Sequence, residues 1–187
     1  MQDSPTLTDF SDFALITAAR QGDLRAFGEL VARYQNKVIN VVYRMCGDPE
    51  LAQEAAQDAF ISAWQNLHKY DPQRPLRNWL FRMATNAAID VLRQSKPVEN
   101  IELIPLENQG ASPESSLESQ QRAETIRQAV LRLPAASRSV LVLREYEGLS
   151  YQEISDTLQI PLGTVMSRLN YARNQLRQSL KALMEAG

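Results

Sequence analysis

Residues 149–173 read LSYQEISDTLQIPLGTVMSRLNYAR, a pattern that predicts the fold of the second half of the chain. A short helix is predicted first, because Ser150 and Glu153 have the spacing of a capping box at a helix start. Pro161 then marks a short turn, since proline disfavours helix in the residue before it. A long amphipathic helix is predicted from Leu162 onward. Short helix, short turn and long helix are the pattern of a helix-turn-helix, whose second helix enters the DNA major groove.

The long predicted helix separates its side chains by chemistry. At about 100° per residue its apolar positions fall within about 80° of one another and are predicted to face the core; they are Leu162, Val165, Leu169, Ala172 and Leu176. Arg168 and Arg173 flank this stripe, and no Asp or Glu occurs over residues 162–183, where a carboxylate would repel phosphate. The pattern favours binding to duplex DNA. An ordinary helical hairpin with a solvated polar face stays open as the alternative.

Apolar residues recur at helical spacing over most of the remaining chain, and no stretch shows sustained period-two alternation. Eight helices are therefore predicted, over about 10–21, 24–46, 49–67, 76–94, 117–132, 135–147, 150–158 and 162–183. Residues 96–117 are acidic, contain proline and glycine and have few apolar residues, which predicts a linker. The predicted fold class is all-α, with two small helical domains over residues 20–95 and 118–187. A flexible acidic linker joins them, and residues 1–19 form an N-terminal segment.

The composition excludes several classes of protein. The chain has 187 residues, 44% of them apolar, and one cysteine. This is a globular composition, and one cysteine excludes an intramolecular disulfide or a cysteine-based zinc cluster. No apolar run approaches the roughly 18 residues that span a bilayer, and no basic stretch typical of a signal peptide begins the chain. We therefore predict a cytoplasmic protein without membrane insertion, metal or other cofactor.

The net charge of −2 conceals an alternation along the chain. Residues 1–68 carry a net charge of −4, residues 69–95 carry +3, residues 96–120 carry −4 and residues 121–187 carry +3. A basic zone is the electrostatic footprint expected of a nucleic-acid surface. The same charge is also compatible with an ordinary solvated face, so charge alone leaves the choice open.

Two stretches of the first half have opposite character. Residues 69–95 interleave arginines with aromatic residues, which suits single-stranded nucleic acid because bases stack on rings and the backbone is anionic. The competing interpretation makes Trp79 a core anchor. Glu50, Glu54 and Asp58 recur at i, i+4 and i+8 and form an acidic stripe. Such a stripe suits a basic protein partner or is simply a solvated face.

Catalytic motifs are absent from the sequence. His68 and Cys46, the only histidine and the only cysteine, lie on different predicted elements, and no Gly-rich phosphate loop or Ser-His-Asp set occurs. Cys46 is interpreted as a small buried hydrophobe, with redox sensing as the alternative, and His68 as a residue at a helix C-terminus. An enzyme is therefore disfavoured. A helix-turn-helix repressor or activator, which usually dimerises on palindromic DNA, stays open as the other alternative.

In their order along the chain, these motifs resemble those of a small sigma factor of bacterial RNA polymerase, of the extracytoplasmic-function (ECF) group. Residues 54–60 (EAAQDAF) with Trp64 resemble the family's polymerase-clamp motif, and residues 76–80 (LRNWL) resemble its promoter-melting helix. Residues 149–154 (LSYQEI) and 163–165 (GTV) resemble its helix-turn-helix. The similarity covers about residues 20–95 and 118–183.

The resemblance implies a protein that directs core RNA polymerase to promoter DNA under the control of an anti-sigma factor, with no small-molecule substrate. The first domain would dock on polymerase and capture the melted minus-10 strand, and the second would recognise the minus-35 element as duplex. The acidic linker would thread toward the active-site and RNA-exit channel, which is basic.

The same resemblance assigns residues by position. It implies polymerase binding by Glu54, Gln57, Asp58 and Phe60. It implies minus-10 contacts by Tyr70, Arg74, Arg77, Asn78, Trp79 and Asn86. Within a helix-turn-helix at about residues 150–173, it implies minus-35 contacts by Thr164, Ser167, Arg168, Tyr171 and Arg173. Met166 and Tyr171 stand where many members carry a basic residue, which predicts an altered minus-35 sequence or more reliance on groove shape.

Overall fold

The computed structural model describes Leu7 and residues 10–94 and 113–185, with side chains described from 121 to 181 in the second stretch. Over these residues the chain forms eight α-helices and no strand, which confirms the all-α prediction. The helices are α1 Asp12–Arg20, α2 Leu24–Cys46, α3 Pro49–Gln65, α4 Leu76–Gln94, α5 Pro113–Leu131, α6 Ala135–Glu145, α7 Tyr151–Leu158 and α8 Leu162–Glu185. A 3-10 turn, Leu67–Lys69, follows α3 and carries the exposed His68. Most of the predicted linker lies outside the described residues, and α5 begins inside it.

Short polar side chains set the helix starts. Asp23 accepts hydrogen bonds from the backbone N–H groups of the first turn of α2, and Asp48 does the same for α3. Ser150 and Glu153 form the predicted capping box of α7, with N···O distances of 3.2 and 2.8 Å. These bonds satisfy N–H groups that have no partner within the helix. Gly47 ends α2 with a φ of +80°, a left-handed conformation that glycine adopts without strain.

The first domain, α1–α4, is built around a helix of small residues. On α3 the inward face consists of alanines, which let α2 and α4 pack closely on either side; the buried ones are Ala52, Ala55, Ala56, Ala59 and Ala63. Larger side chains such as Met45 and Phe81 fill the remaining core. Helix α1 belongs to this core although it lies within the predicted N-terminal segment, because Leu15 and Ile16 are buried against α2.

The second domain, α5–α8, has α6 at its centre. Every residue of α6 over 137–143 is buried, which is the pattern of a helix with neighbours all round. On α8 the predicted stripe is buried at Val165, Leu169 and Ala172. The prediction was wrong for Leu162, which is 41% exposed at the first position of the helix.

The two domains pack directly against each other. Helix α2 contacts α5 and α6, and α4 contacts α6 and α7. As a result, one cluster of buried residues runs through both halves of the chain. No helix in the described part of the chain is both long and apolar enough to cross a bilayer.

Cys46 lies in this core, as the sequence predicted, and its Sγ is 4.0 Å from the carbonyl oxygen of Ala88. Burial raises the pKa of the Cys46 thiol to about 11. The thiolate is the reactive species, so the folded protein holds this cysteine in its inert form.

We therefore expect the native protein to react with Ellman's reagent at about pH 8 at least tenfold more slowly than the urea-unfolded chain. The absorbance time course of the released thiol measures this directly. A native rate equal to the unfolded rate would revive the redox-sensor interpretation of Cys46.

Candidate nucleic-acid interface

The outward face of α3 carries the residues that the resemblance assigns to polymerase. Because the alanines of α3 point inward, Glu54, Gln57 and Asp58 are exposed together. Phe60 is half-buried and packs against the core, so only part of its ring is accessible. The sequence interpretation missed Ile61, which is 54% exposed beside the acidic side chains. Ile61 does not share the helical spacing of the buried alanines, and this difference could have identified it as exposed.

The loop before α4 is held in place by an aromatic pair. Tyr70 is buried, its hydroxyl donates to the carbonyl oxygen of Arg74 at 2.5 Å, and its ring centroid lies 5.3 Å from that of Trp79. Arg20 of α1 donates to the carbonyl oxygens of Leu67 and Tyr70. In this conformation Tyr70 positions the loop and has no free face on which a base could stack.

A cavity of about 680 Å³ lies between the domains, beside α4 and α7. Five of the six predicted minus-10 residues line it, namely Tyr70, Arg74, Asn78, Trp79 and Asn86. Arg77 is directed elsewhere, with its guanidinium 5.9 Å from the centroid of the Phe81 ring. The opposite wall carries Glu153 and Asp156 from the helix-turn-helix. The structure thus brings five of the predicted strand-binding residues together. They face the carboxylates of Glu153 and Asp156 across the cavity.

The start of α8 is the second cluster of predicted residues. Ser167 is exposed and donates to the Thr164 carbonyl oxygen at 3.1 Å, and Tyr171 is 46% exposed nearby. Arg168 is half-buried at the edge of the apolar stripe. Met166, which the sequence singled out as a departure, is 52% exposed among them.

Arg173 stands apart from this cluster. Its guanidinium Nη2 lies 2.7 Å from Oε1 of Glu145 on α6, and Nη1 donates to the Tyr151 hydroxyl at 3.4 Å. Both partners of the ion pair are more than two-fifths exposed, so the pair is worth well under about 1 kcal/mol. The side chain of Arg173 is therefore bound to Glu145 and Tyr151, but only weakly.

Comparison with known proteins bears on both halves. The Sigma-70 region 2 family model matches residues 30–97, and the Sigma-70 region 4 model matches residues 123–176. The chain is 37% identical over 179 residues to the ECF RNA polymerase sigma factor SigW of Bacillus subtilis, with 90% of this chain and 96% of that protein covered. The chain belongs to the ECF sigma factors of RNA polymerase. Members of this family are transcription regulators and not enzymes.

Two solved structures share the fold of this sigma factor. One is CnrH in complex with the cytosolic domain of CnrY, at a TM-score of 0.67 and 28% identity, covering 91% of this chain and 97% of that chain. The other is the sigma factor RpoE in complex with the anti-sigma factor NepR from Bartonella quintana, at a TM-score of 0.67 and 20% identity, covering 84% of this chain and 98% of that chain. The latter similarity concerns the fold alone.

The contacts of Tyr70 lead to a test of its positioning role. Tyr70→Phe removes the hydrogen bond to the Arg74 carbonyl and keeps the ring against Trp79, so we expect a loss of about 1 kcal/mol in the free energy of unfolding. Urea denaturation followed by tryptophan fluorescence measures it. Tyr171→Phe, at an exposed tyrosine on α8, is the matched control and should leave the midpoint unchanged. Equal midpoints for the two variants would contradict this role of Tyr70.

Proposed function

We propose that this sigma factor delivers core RNA polymerase to promoters through three separate surfaces, one on α3, one on α4 and one on α8. The observation that carries the proposal is the presence of both sigma regions, in the family's order, on one chain. Run-off transcription with purified core enzyme tests it. The proposal fails if the holoenzyme starts no transcripts while the protein alone binds DNA tightly, as a repressor or activator would.

The α3 surface is proposed to dock on polymerase. Glu54, Gln57 and Asp58 present acidic and polar groups to solvent, and Ile61 adds an aliphatic side chain that is 54% exposed. A charged rim around an apolar contact is typical of protein interfaces. We infer that Ile61 supplies affinity and the carboxylates orient the approach to a basic partner.

The α4 surface is proposed to hold the melted minus-10 strand. Trp79 is half-buried at the cavity, with Arg74, Arg82 and Asn86 around the same space. Stacking on the indole together with cations along the strand is the means by which proteins bind single strands. Asn78 and Asn86, both at the cavity, carry amide groups suited to a base edge.

The α8 surface is proposed to recognise the minus-35 duplex. Thr164 and Ser167 are short polar side chains suited to base edges, and Arg168 at the edge of the stripe suits a phosphate. Met166 and Tyr171 add exposed apolar surface where many relatives are basic. We infer that this protein depends more on groove shape and thymine methyl contacts than on arginine–guanine pairs.

Regulation by an anti-sigma factor is proposed as well, and with it a cytoplasmic site of action, where polymerase and DNA are found. The support is that CnrH, which shares this fold at 28% identity, is found in complex with another protein, the cytosolic domain of CnrY. A partner that covers the α4 or α8 surface would block promoter recognition without altering the fold.

Trp79→Ala tests the strand-binding role. We expect the rate of opening of a duplex promoter to fall by about tenfold, the size of one lost base–aromatic stack. A template that is already melted over the minus-10 element should be affected less, because strand separation no longer opposes binding. Phe13→Ala is the control, since Phe13 is a 64% exposed aromatic residue on α1 that does not line the cavity. An equal loss on both templates would exclude a role for Trp79 in strand separation.

Arg168→Ala tests the phosphate contact. Loss of one phosphate contact should weaken minus-35 binding and reduce the slope of log K against log salt by about 1. Fluorescence anisotropy at several salt concentrations measures the slope. Arg25→Ala, an exposed arginine at the start of α2, removes the same charge far along the chain and should leave the slope unchanged. An unaltered slope in Arg168→Ala would remove this contact from the proposed interface.

A further inference from the structure

Arg173 of α8 joins three helices of the second domain. Its Nη2 and Nε donate to the same carboxylate oxygen of Glu145, the last residue of α6, at 2.7 and 3.2 Å. Its Nη1 donates to the hydroxyl of Tyr151, the first residue of α7, at 3.4 Å. One guanidinium on the proposed recognition helix therefore binds to both of the helices that lie beneath it.

Tyr151 is itself held in place by α6. The guanidinium of Arg144 lies 5.1 Å from the centroid of the Tyr151 ring, within the range of a cation–π contact. Arg144 also donates to the carbonyl oxygen of Leu149 at 2.8 Å, and Leu149 is fully buried between α6 and α7. Tyr151 is thus anchored to the core of the domain, so its hydroxyl offers Arg173 a fixed partner.

The contacts of Arg173 lie where the apolar packing of α8 ends. Among the described side chains of α8, Ala172 is the last that is buried, and residues 173–181 are exposed or half-buried. Apolar packing has no preferred direction, whereas hydrogen bonds depend on angle. Arg173 is therefore placed where packing does least to fix the direction of α8 relative to α6 and α7.

A small change of direction at Arg173 is large at the proposed base-contacting residues. Ser167 lies six residues earlier, which is about 9 Å along the helix, so a tilt of about 10° would move it by about 1.6 Å. Hydrogen bonds to base edges need donor–acceptor distances of about 2.7 to 3.2 Å. Such a tilt would therefore cost the protein base recognition, which carries sequence preference, before it costs phosphate contacts.

Arg173 is also directed away from the proposed DNA-facing side of α8. At about 100° per residue it lies about 120° around the helix from Ser167, and its guanidinium is turned toward Glu145 and Tyr151. The Glu145 side chain is 44% exposed, and its carboxylate would repel a phosphate that approached Arg173 from that side.

We propose that Glu145 and Tyr151 are positioning residues for minus-35 recognition, and that they hold α8 at the angle required for base contacts by binding Arg173. Arg173 then links α8 to its two supporting helices and does not neutralise a phosphate. The inference rests on the proposed function of α8 and deepens it, because a carboxylate that does not touch DNA becomes a determinant of sequence preference.

An exchange of the two charges separates positioning from phosphate binding. Arg173→Met and Glu145→Gln each remove the ion pair while keeping a side chain of similar length. The double variant Arg173→Glu with Glu145→Arg restores an ion pair in the reverse direction. The Tyr151 hydroxyl can donate as well as accept, so it can still bond to the side chain at position 173. A phosphate contact is lost in this exchange, whereas a positioning contact is retained.

Fluorescence anisotropy of the full-length protein with two labelled duplexes of equal length gives the readout. One duplex is enriched by the wild-type protein from a randomised pool, and the other has mixed sequence. Each single variant should lower the ratio of the two affinities by about two- to fivefold, the range for loss of one partly exposed ion pair. The charge exchange should restore the ratio. Arg173→Met should keep the wild-type slope of log K against log salt, because no phosphate contact is lost.

Arg177→Met is the matched control. Arg177 is an exposed arginine one turn further along α8, and its guanidinium donates to Asn174 of the same helix at 3.1 Å. Its loss removes the same charge without removing a contact to α6 or α7, so the ratio of affinities should stay at the wild-type value. Circular dichroism of each variant checks that its helix content is unchanged.

Three results would overturn the proposal. A salt slope reduced by about 1 in Arg173→Met, with both duplexes weakened alike, would make Arg173 a phosphate contact. A charge exchange with a ratio as low as that of the single variants would exclude positioning through the ion pair. A wild-type ratio in every variant would show that the bridge has no effect on recognition. Failure of the proposed role of α8 looks different, since the wild-type protein would then enrich no sequence, and this inference would fail with it.

Discussion

The open carbonyl groups at the end of α2 are the constraint on which the arrangement of the two domains depends. The last carbonyls of a helix have no partner within the helix. Here Arg127 donates to the carbonyl oxygen of Gly47, and Arg138 donates to that of Met45. Helix α6 packs against α2 and α4 across this contact and against α7 and α8 in its own domain, which is why it is buried over residues 137–143. The cavity beside α4 follows from the same docking, because α7 is carried onto α4 with α6.

The packing of the two domains leaves two of the three proposed surfaces exposed and partly buries the third. The α3 face stays exposed, with Ile61 among its carboxylates, and the start of α8 stays exposed around Ser167 and Tyr171. Only the α4 surface lies against the other domain, where Asn78 is 7% exposed. In this conformation the proposed α3 and α8 surfaces are exposed, whereas part of the proposed α4 surface is buried at the contact with α7.

Local signals in the sequence were sufficient for most of the helices. The predicted bounds of α2 and α4 agree with the structure, because Asp23 and Gly47 delimit α2 and a proline precedes α4. The helix-turn-helix was also recognisable, since a capping box and a proline lie at its two boundaries. Predictions about exposure succeeded less well: Leu162 was placed in the core and is exposed, and Ile61 was missed. Periodicity gives the side of a helix on which a residue lies. It does not show how far along the helix the neighbouring helices extend to cover that side.

By itself, the sequence determined the all-α class, the order of the helices and the family. Capping, turn chemistry and helical period act within a few residues, so they can be read along the chain. Only the tertiary structure decided that Tyr70 is a support under Trp79, that Arg173 is paired with Glu145, and that the two domains share one core. These depend on contacts between residues far apart in the chain, such as the one from Arg138 to Met45, and no local pattern specifies which distant carbonyl an arginine will reach.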